Sequence, residues 1–285
     1  MKKIALSLLC AIIPASAFAD GLTLNRHLDL NIRRIGLDMS RTDVGHSKEY
    51  ANSPVAALTA TDQDFIKGIL DVALEFKQNK FNWDNSLFME YGRTKLKPYN
   101  GVETVDENAD KILVSSDLSY ARWEFGGFKF GPTNRAQYQT EFVAGPEAPR
   151  QNLIRDSLGI SLFDHNIIKS LYVAGLYEYD FTYVDNHISK VGAEFGWRVE
   201  YKVRDGVALK TDGYYREYFG FSDYELTDLE RDLLVVARMD TNLWGDFTLG
   251  PYVQYRLAKA RGVDVYGSNL MFGVSFNYIT KFGLI

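Results

Sequence analysis

A two-residue alternation of apolar and polar side chains is the feature that most constrains how this chain can fold. In the segment 191–203 every odd position is apolar or aromatic, and every even position is charged or Gly. Successive side chains of a β-strand point to opposite faces, so this segment predicts a strand with one apolar face and one polar face. The same alternation recurs along most of the chain and predicts an all-β protein.

Twelve segments with this pattern can be counted, and the connections between them alternate in length. The predicted strands lie near residues 27–39, 65–77, 81–97, 111–123, 128–143, 153–163, 168–184, 187–203, 207–221, 233–242, 247–260 and 268–282. Only the turn at 185–186 is short where a long connection is expected. Alternating tight turns and longer loops are typical of outer-membrane barrels, which have an even strand number. We therefore predict a closed, up-and-down antiparallel transmembrane β-barrel of about twelve strands.

The composition fits this interpretation once the two faces are separated. The mean hydropathy of −0.21 resembles that of a soluble protein, yet 18 Tyr, 18 Phe and 4 Trp make up 14% of the chain. A barrel with a lipid-facing and a water-facing side averages to such a value and places aromatic residues at the membrane interfaces. The alternative is a soluble periplasmic sandwich or lipocalin-like barrel with its apolar face inward. The excess of 37 Asp and Glu over 32 Lys and Arg weighs against a nucleic-acid binder.

The first 19 residues have the pattern of a secretory signal peptide. Lys2 and Lys3 precede an apolar stretch, and Ala17-Phe18-Ala19 is a typical cleavage motif. We therefore expect cleavage after Ala19, a barrel formed by residues 20–285, and a location in the outer membrane of a Gram-negative bacterium.

A resemblance to a known family appears in the second predicted hairpin. The sequence Trp83-Asp84-Asn85-Ser86-Leu87 is followed by Tyr91-Gly92, by Lys95 and by an acidic stretch at 106–111. It resembles a family of bacterial outer-membrane proteins of unknown function, best known from Bacteroidetes, that carries a similar WDNSL–YG stretch. The resemblance covers roughly residues 77–145 and implies an outer-membrane barrel without an assigned activity, so it identifies no functional residue.

The charged residues of the polar face are the candidate functional residues, because they would line the lumen. The candidates are Lys67, Asp71, Glu75, Glu90, Lys129, Arg135, Glu178, Asp180, Glu194, Arg198, Glu200, Lys202, Lys210, Arg216, Arg238 and Arg256. Twelve strands lie between the filled eight-stranded barrels and the water-filled porins. We predict a narrow passive channel for small polar solutes. The near balance of charges leaves open a sealed structural or interaction barrel, and the longest connection, 40–64, could fold inward as a plug.

Enzymatic activity is not expected, although one pair of residues raises an alternative. His187 and Ser189 share one face of a strand and resemble the H-x-S of outer-membrane phospholipase A, which implies a lipid hydrolase. That family continues with an Asn-Gly-rich stretch, whereas Lys190-Val191-Gly192 follows here, and no orienting Asn is evident. A polar turn at the rim is the simpler interpretation.

No metal or cofactor is expected, since the sequence has no zinc spacing, P-loop or GxSxG motif. The acidic connections at 98–110 and 222–232 are expected to be solvated loops. The expected partners are outer-membrane lipid and lipopolysaccharide, a small solute, and the barrel-assembly machinery during biogenesis. Phe276, Tyr278 and Phe282 on one face of the last strand fit recognition by that machinery.

Overall fold

The computed structural model of the chain describes residues 26–59, 63–96, 104–144 and 149–284. The expected signal peptide lies outside these residues. The described chain is almost entirely β-structure, with a single four-residue helix, α1 (Ala56–Thr59). In this part of the chain no helix has the length and apolar character needed to cross a membrane.

Twelve long strands and one short strand make up the fold. They are β1 (Arg26–Gly45), β2 (Gln63–Gln78), β3 (Phe81–Leu96), β4 (Thr104–Tyr120), β5 (Trp123–Phe125), β6 (Phe128–Thr140), β7 (Asn152–Phe163), β8 (Ile168–Asp180), β9 (Ile188–Arg204), β10 (Val207–Phe221), β11 (Leu229–Trp244), β12 (Phe247–Ala260) and β13 (Gly267–Gly283).

The long strands close into a barrel. Each pairs antiparallel with its sequence neighbours, β4 pairs with β6, and β13 pairs with β1 to complete the ring. Closure pairs every long strand on both sides, so the ring itself has no open edge. The predicted all-β, closed, antiparallel barrel of twelve strands is confirmed, with β5 as an addition. That strand pairs only with β6, through a two-residue turn in which Gly126 and Gly127 both have positive φ, as a type I′ turn requires.

Short turns lie at one end of the barrel and long connections at the other, and we name these the short-turn end and the long-loop end. Because β8 ends at Asp180, the connection 181–187 has seven residues, so the exception predicted at 185–186 was wrong. The strands β4 and β11 begin earlier than predicted, so residues 106–110 and 229–232 belong to strands and not to loops. Period-two alternation weakens where a strand leaves the apolar layer, and these boundaries were misplaced for that reason.

The apolar faces point outward and the polar faces inward. On β1, Leu37 and Met39 are about 60% exposed (57% and 60%), whereas Asp38 between them is fully buried inside the barrel. The inner residues Ser275 and Asn277 on β13 are likewise fully buried. An apolar outside around a polar inside is the arrangement of a barrel in lipid. The alternative of a soluble barrel with an apolar interior is therefore wrong.

Aromatic residues form two belts on the outer surface. Near the short-turn end, the rings of Trp244, Phe247, Phe276 and Tyr278 contact one another. Near the long-loop end, Tyr138, Tyr179, Phe181 and His187 form a second connected group. Aromatic side chains favour the boundary between hydrocarbon and water, so the belts mark two membrane interfaces.

A β-bulge in β1 brings two neighbouring arginines into the lumen. The register shifts between Ile32 and Ile35 against both neighbouring strands. A bulge adds one residue to one strand and changes the alternation locally. Arg33 therefore pairs with Glu75, and Arg34 with Asp38, on the same inner face.

Candidate functional site: the charged lumen

All sixteen predicted lumen residues lie on the inner parity of their strands, by the strand register. They differ in surroundings. Lys129 and Lys202 lie at the short-turn rim, where they pair with turn residues Asp164 and Asp205. Asp180 is the last residue of β8 at the long-loop end, and the other thirteen lie between the two ends. Their role as pore-lining residues stays a prediction.

Three Arg–carboxylate–Tyr triads fill the lumen between β7 and β12. Each arginine binds a carboxylate on the next or preceding strand, and each carboxylate accepts a hydrogen bond from a tyrosine hydroxyl. The triads are Arg155–Glu178–Tyr218, Arg216–Glu194–Tyr172 and Arg256–Asp232–Tyr214. Charge-assisted hydrogen bonds of this kind are among the strongest polar contacts in proteins.

A glycine on β9 makes the second triad possible. A Cβ at Gly196 would collide with the ring of Tyr172. Because Gly196 has none, the ring lies against the backbone there, and its hydroxyl reaches Glu194. The guanidinium of Arg135 stacks on the same ring, 4.2 Å from its centre. The ring is therefore held between a cation and a carboxylate.

A cluster around Lys190 closes the lumen at the long-loop end. The Lys190 Nζ lies 2.6 Å from Asp228, 3.1 Å from Glu178 and 3.2 Å from Asp180. Asp228 belongs to the connection between β10 and β11, so the cluster ties that loop to the barrel wall. Since the side chain of Lys190 is only 5% exposed, the ammonium depends on these carboxylates for the interactions that water would otherwise supply.

A further ionic cluster lies on the opposite wall. Lys67 is fully buried, and its Nζ lies 3.1 Å from Glu90 and 3.9 Å from Asp38. Arg34 contacts Asp38 and donates from Nε to Asn277 at 2.6 Å. These pairs fill the space beside β1, β2 and β3.

The lumen is wetter near the short turns. Arg198 and Asp212, opposite each other on β9 and β10, both point inward and are exposed. Glu200 and Lys202 follow along β9, with side chains 44% and 70% exposed. Inward-pointing residues can be this exposed only where water enters the barrel.

The segment 46–59, with α1, occupies the long-loop mouth. The Tyr50 hydroxyl lies 3.0 Å from the carbonyl oxygens of both Ala258 and Val265, which share its one proton, and Asn269 donates to the carbonyl of Ala57. Leu58 is fully buried in an apolar cluster with the inner residue Ala258. The helix contacts β1 and β13 on one side and β4 on the other, so it crosses the mouth. The sequence allowed the connection 40–64 to fold inward; residues 46–59 do so, whereas 40–45 and 63–64 belong to β1 and β2, and 60–62 lie outside the described residues.

A small cavity remains beneath this segment. It measures about 40 Å³ and is bounded by Val55 above and by Arg155, Glu178, Lys190 and Asp232 below. This volume holds about three water molecules, since one water needs about 10–15 Å³. The segment 46–59 therefore leaves only a small space above these inner charges.

Several charged lumen residues were missed by the sequence analysis. They are Arg33, Arg34, Asp38, Lys111, Arg155, Lys190, Asp228 and Asp232. The expectation of a solvated loop at 222–232 holds for residues 222–224, which are exposed, and was wrong for the end of the stretch, because Asp228 and Asp232 are 5% and 3% exposed and pair with Lys190 and Arg256. Lys190 shares the parity of Arg198, a signal that could have placed it in the lumen. The bulge that turns in Arg33 leaves no such signal.

His187 and Ser189 lie at the long-loop rim and face outward, with separate partners. The His187 Nδ1 is 2.9 Å from the hydroxyl of Tyr179, and the Ser189 hydroxyl is 3.0 Å from that of Tyr177. A nucleophile and its base need a mutual hydrogen bond, and the described contacts contain none between these two. No group of three or more potential metal ligands occurs among the described residues.

Among the carboxylates outside the membrane-spanning strands, Asp228 and Asp164 have pKa values shifted in opposite directions. Burial raises the pKa of Asp228 above its usual value, and Lys190 offsets this only in part. Burial acts in the same direction on Asp164, but hydrogen bonds from Lys129 and Lys77 outweigh it and hold the pKa of Asp164 below its usual range. The pKa of Asp228, at the long-loop end, is thus raised, and that of Asp164, at the short-turn end, is lowered.

A closed antiparallel barrel with aromatic belts outside and charges inside defines a class, the transmembrane β-barrels of the bacterial outer-membrane type. Residues 64–145 match the sequence model of a family described as "Protein of unknown function (DUF3078)". This match overlaps the stretch 77–145 that resembles outer-membrane proteins of unknown function; the Bacteroidetes WDNSL–YG family itself is not confirmed. No curated protein matches the chain.

Solved structures with similar architecture include channels and an enzyme. The NanC porin is 12% identical, with a TM-score of 0.43, over 84% of this chain and 98% of its own. Outer membrane phospholipase A from Escherichia coli is 13% identical, with a TM-score of 0.45, over 91% and 94%. An outer-membrane channel from Pseudomonas putida F1 is 10% identical, with a TM-score of 0.41, over 92% and 97%. At these identities and scores, none of them indicates what this chain binds or does.

Proposed function

We propose that this protein is a narrow, gated diffusion channel for small polar solutes in the bacterial outer membrane. The observation that carries the proposal is the segment 46–59, which crosses the mouth of a lumen lined with charge. Its contacts with the wall are non-covalent: hydrogen bonds of Tyr50 and Asn269 and the burial of Tyr50, Val55 and Leu58. A hydrogen bond contributes about 1 kcal/mol and a buried Leu about 2–3 kcal/mol, so the docking free energy is a sum of small terms that single substitutions can change measurably.

The short-turn end faces the periplasm in this proposal, and the long loops face outside. The apolar outer belt contacts membrane lipid and lipopolysaccharide, and the barrel-assembly machinery inserts the chain. Water enters from the periplasmic side as far as Arg198 and Asp212, which are exposed. Solutes cross when the segment 46–59 leaves the mouth.

The experiment compares two forms of the folded barrel in planar lipid bilayers. The first is the wild type. The second carries a Gly-Ser replacement of residues 51–59, which removes α1 and Leu58 and still joins β1 to β2 with a connection of the same length. We expect brief, rare openings of the wild type and a persistent conductance of the replaced form. Heat-modifiable migration on a gel, checked for both forms, reports that each is a folded barrel.

A sealed structural barrel is the second candidate, favoured by the three triads and the Lys190 cluster. It predicts that both folded forms carry no current. Persistent conductance that is equal in the two forms would contradict gating by the segment 46–59 but would still support a channel. Loss of heat-modifiable migration in the wild type would contradict the membrane barrel itself.

A further inference from the structure

Four cations lie together at the middle of the lumen: Lys111, Arg155, Arg216 and Arg256. We call them the central cation group. They come from β4, β7, β10 and β12, which are spaced around the barrel wall. Arg155 and Arg256 border the same cavity beneath the segment 46–59. The guanidinium of Arg216 stacks on the ring of Tyr214, 3.8 Å from its centre, and the Tyr214 hydroxyl donates to the Asp232 that Arg256 binds. The like charges oppose one another at this range, the three arginines acting on Lys111 and Arg216 acting on the other two.

Lys111 has no carboxylate of its own. Within the described part of the chain it makes no ion pair, and its Nζ lies 5.6 Å from the centre of the Phe88 ring. The residue opposite it on β3 is Glu90, whose carboxylate is bound by Lys67 at 3.1 Å. The central cation group therefore has four positive charges, while the triads supply three carboxylates to it.

The arginines keep unused donors. Arg155 donates from Nε and Nη1, Arg216 from Nε, and Arg256 from Nε and Nη2. No other hydrogen bond from these guanidinium groups is made among the described residues. None of their remaining nitrogens, nor the Lys111 Nζ, is a fully buried atom without a partner, so each keeps some contact with solvent, although Arg155 and Arg216 are only 5% and 4% exposed.

The three carboxylates are held by tyrosine hydroxyls as well as by arginines. Tyr218 donates to Glu178 at 2.7 Å and Tyr214 to Asp232 at 2.9 Å, while Tyr172 donates to Glu194. These bonds use acceptor sites that would otherwise repel an anion. The lumen therefore presents at this level four cationic side chains for three carboxylates, an excess of one positive charge.

We propose that the central cation group binds an oxyanion, namely the phosphate, sulfonate or carboxylate group of a small solute. Guanidinium groups match the geometry of such oxygens, and Lys111 adds a point charge. A bound anion also compensates the excess charge that a low-dielectric lumen disfavours. The inference rests on the proposed channel, because it names the class of solute that the channel passes.

The test measures binding without any current. The folded full-length barrel is unfolded thermally in detergent, at inorganic phosphate concentrations up to about 10 mM and with the ionic strength held constant by sodium chloride; a bound ligand raises the midpoint. Lys111→Met removes one charge and leaves no carboxylate unpaired. Lys202→Met removes the same charge from the same inner face at the short-turn rim, where it serves as the matched control.

We expect phosphate to raise the midpoint of the wild type and of Lys202→Met equally, and Lys111→Met to bind it at least about tenfold more weakly. Lys111→Arg, which keeps the charge, should retain the response. A wild type that does not respond to phosphate, or a Lys111→Met variant that responds in full, would overturn the anion site. A barrel that binds phosphate but conducts nothing in bilayers would instead overturn the channel and keep the site.

Discussion

In the β9–β10 hairpin, the charges nearest the long loops are buried and those nearest the short turn are exposed. The side chains of Lys190 and Glu194 are 5% and 0% exposed, whereas those of Glu200 and Lys202, on the same strand and face, are 44% and 70% exposed. One strand thus runs from a dry, ion-paired region to a wet one. The difference shows that parity decides whether a residue faces the lumen, and that the loops above decide whether the lumen holds water there.

The largest effect should come from removing a carboxylate in the dry half. Glu194→Gln leaves Arg216 buried without a counter-charge, which costs about 3–5 kcal/mol of unfolding free energy. Glu200→Gln in the wet half should change it by no more than about 0.5 kcal/mol. Urea unfolding of the two variants in detergent measures this change. Equal losses of unfolding free energy would show that the dry and wet halves do not differ in their need for paired charges.

The next largest effect should come from weakening the docking of the segment 46–59, which covers the long-loop half of the lumen. Leu58→Ala should weaken its docking by about 3 kcal/mol, because the fully buried side chain leaves a cavity. That change raises the undocked population roughly a hundredfold. Limited proteolysis of the segment 46–59 and open time in bilayers both report it.

Val184→Ala is the matched control for Leu58→Ala, since Val184 lies in a long connection at the same end and is 88% exposed. It should leave proteolysis and open time unchanged. If both variants open the channel alike, the docking of Leu58 is not what closes the mouth.

A smaller effect is expected from pH. Asp228 belongs to the connection 222–228, and its pKa is raised where this connection is packed on the barrel wall, so the packed connection binds a proton more readily than the unpacked one. Acidification through the raised pKa therefore favours packing of this connection over the mouth, and a rise in pH weakens it. Lys190, Glu178 and Asp180 face the same carboxylate and moderate the change, which should not exceed about tenfold in open probability.

The variant Asp228→Asn should remove this pH dependence while keeping the loop docked, because a neutral side chain suits the buried position. Open probability measured between pH 4 and pH 7, roughly from the usual Asp pKa upward, is the readout. An unchanged pH profile in the variant would assign the titration to another group.

The smallest effect should come from the wet rim. Lys202→Met removes an exposed pair with Asp205. It should lower the preference for anions slightly at about 0.1 M salt and not at about 1 M, where the screening length shrinks from about 10 Å to about 3 Å. The reversal potential in asymmetric salt measures this, and a salt-independent change would indicate direct binding at Lys202.

Much of the fold could be predicted from the sequence because alternation is a local signal. The strand β9 was predicted to within one residue at each end, and its parity places Lys190, Glu194 and Arg198 on one face. The partners of these residues could not be predicted. They depend on closure, which brings β4, β7, β10 and β12 around one space, and on the bulge near Arg33. The docking of Leu58 depends on contacts with β12 that are remote in sequence.

The ion pairs of the lumen also bear on how the barrel enters a membrane. Each hairpin built on a short turn has an internal pair: Lys67–Glu90, Asp117–Arg135, Arg155–Glu178, Glu194–Arg216 and Asp232–Arg256. The tyrosine bonds of the triads run instead between successive hairpins. Each hairpin can therefore neutralise one of its own charges before the ring closes, which lowers the cost of moving it from water into lipid. Insertion of one hairpin after another is compatible with this arrangement. The tyrosine hydroxyls of the triads would then form their hydrogen bonds between hairpins that are already in the membrane.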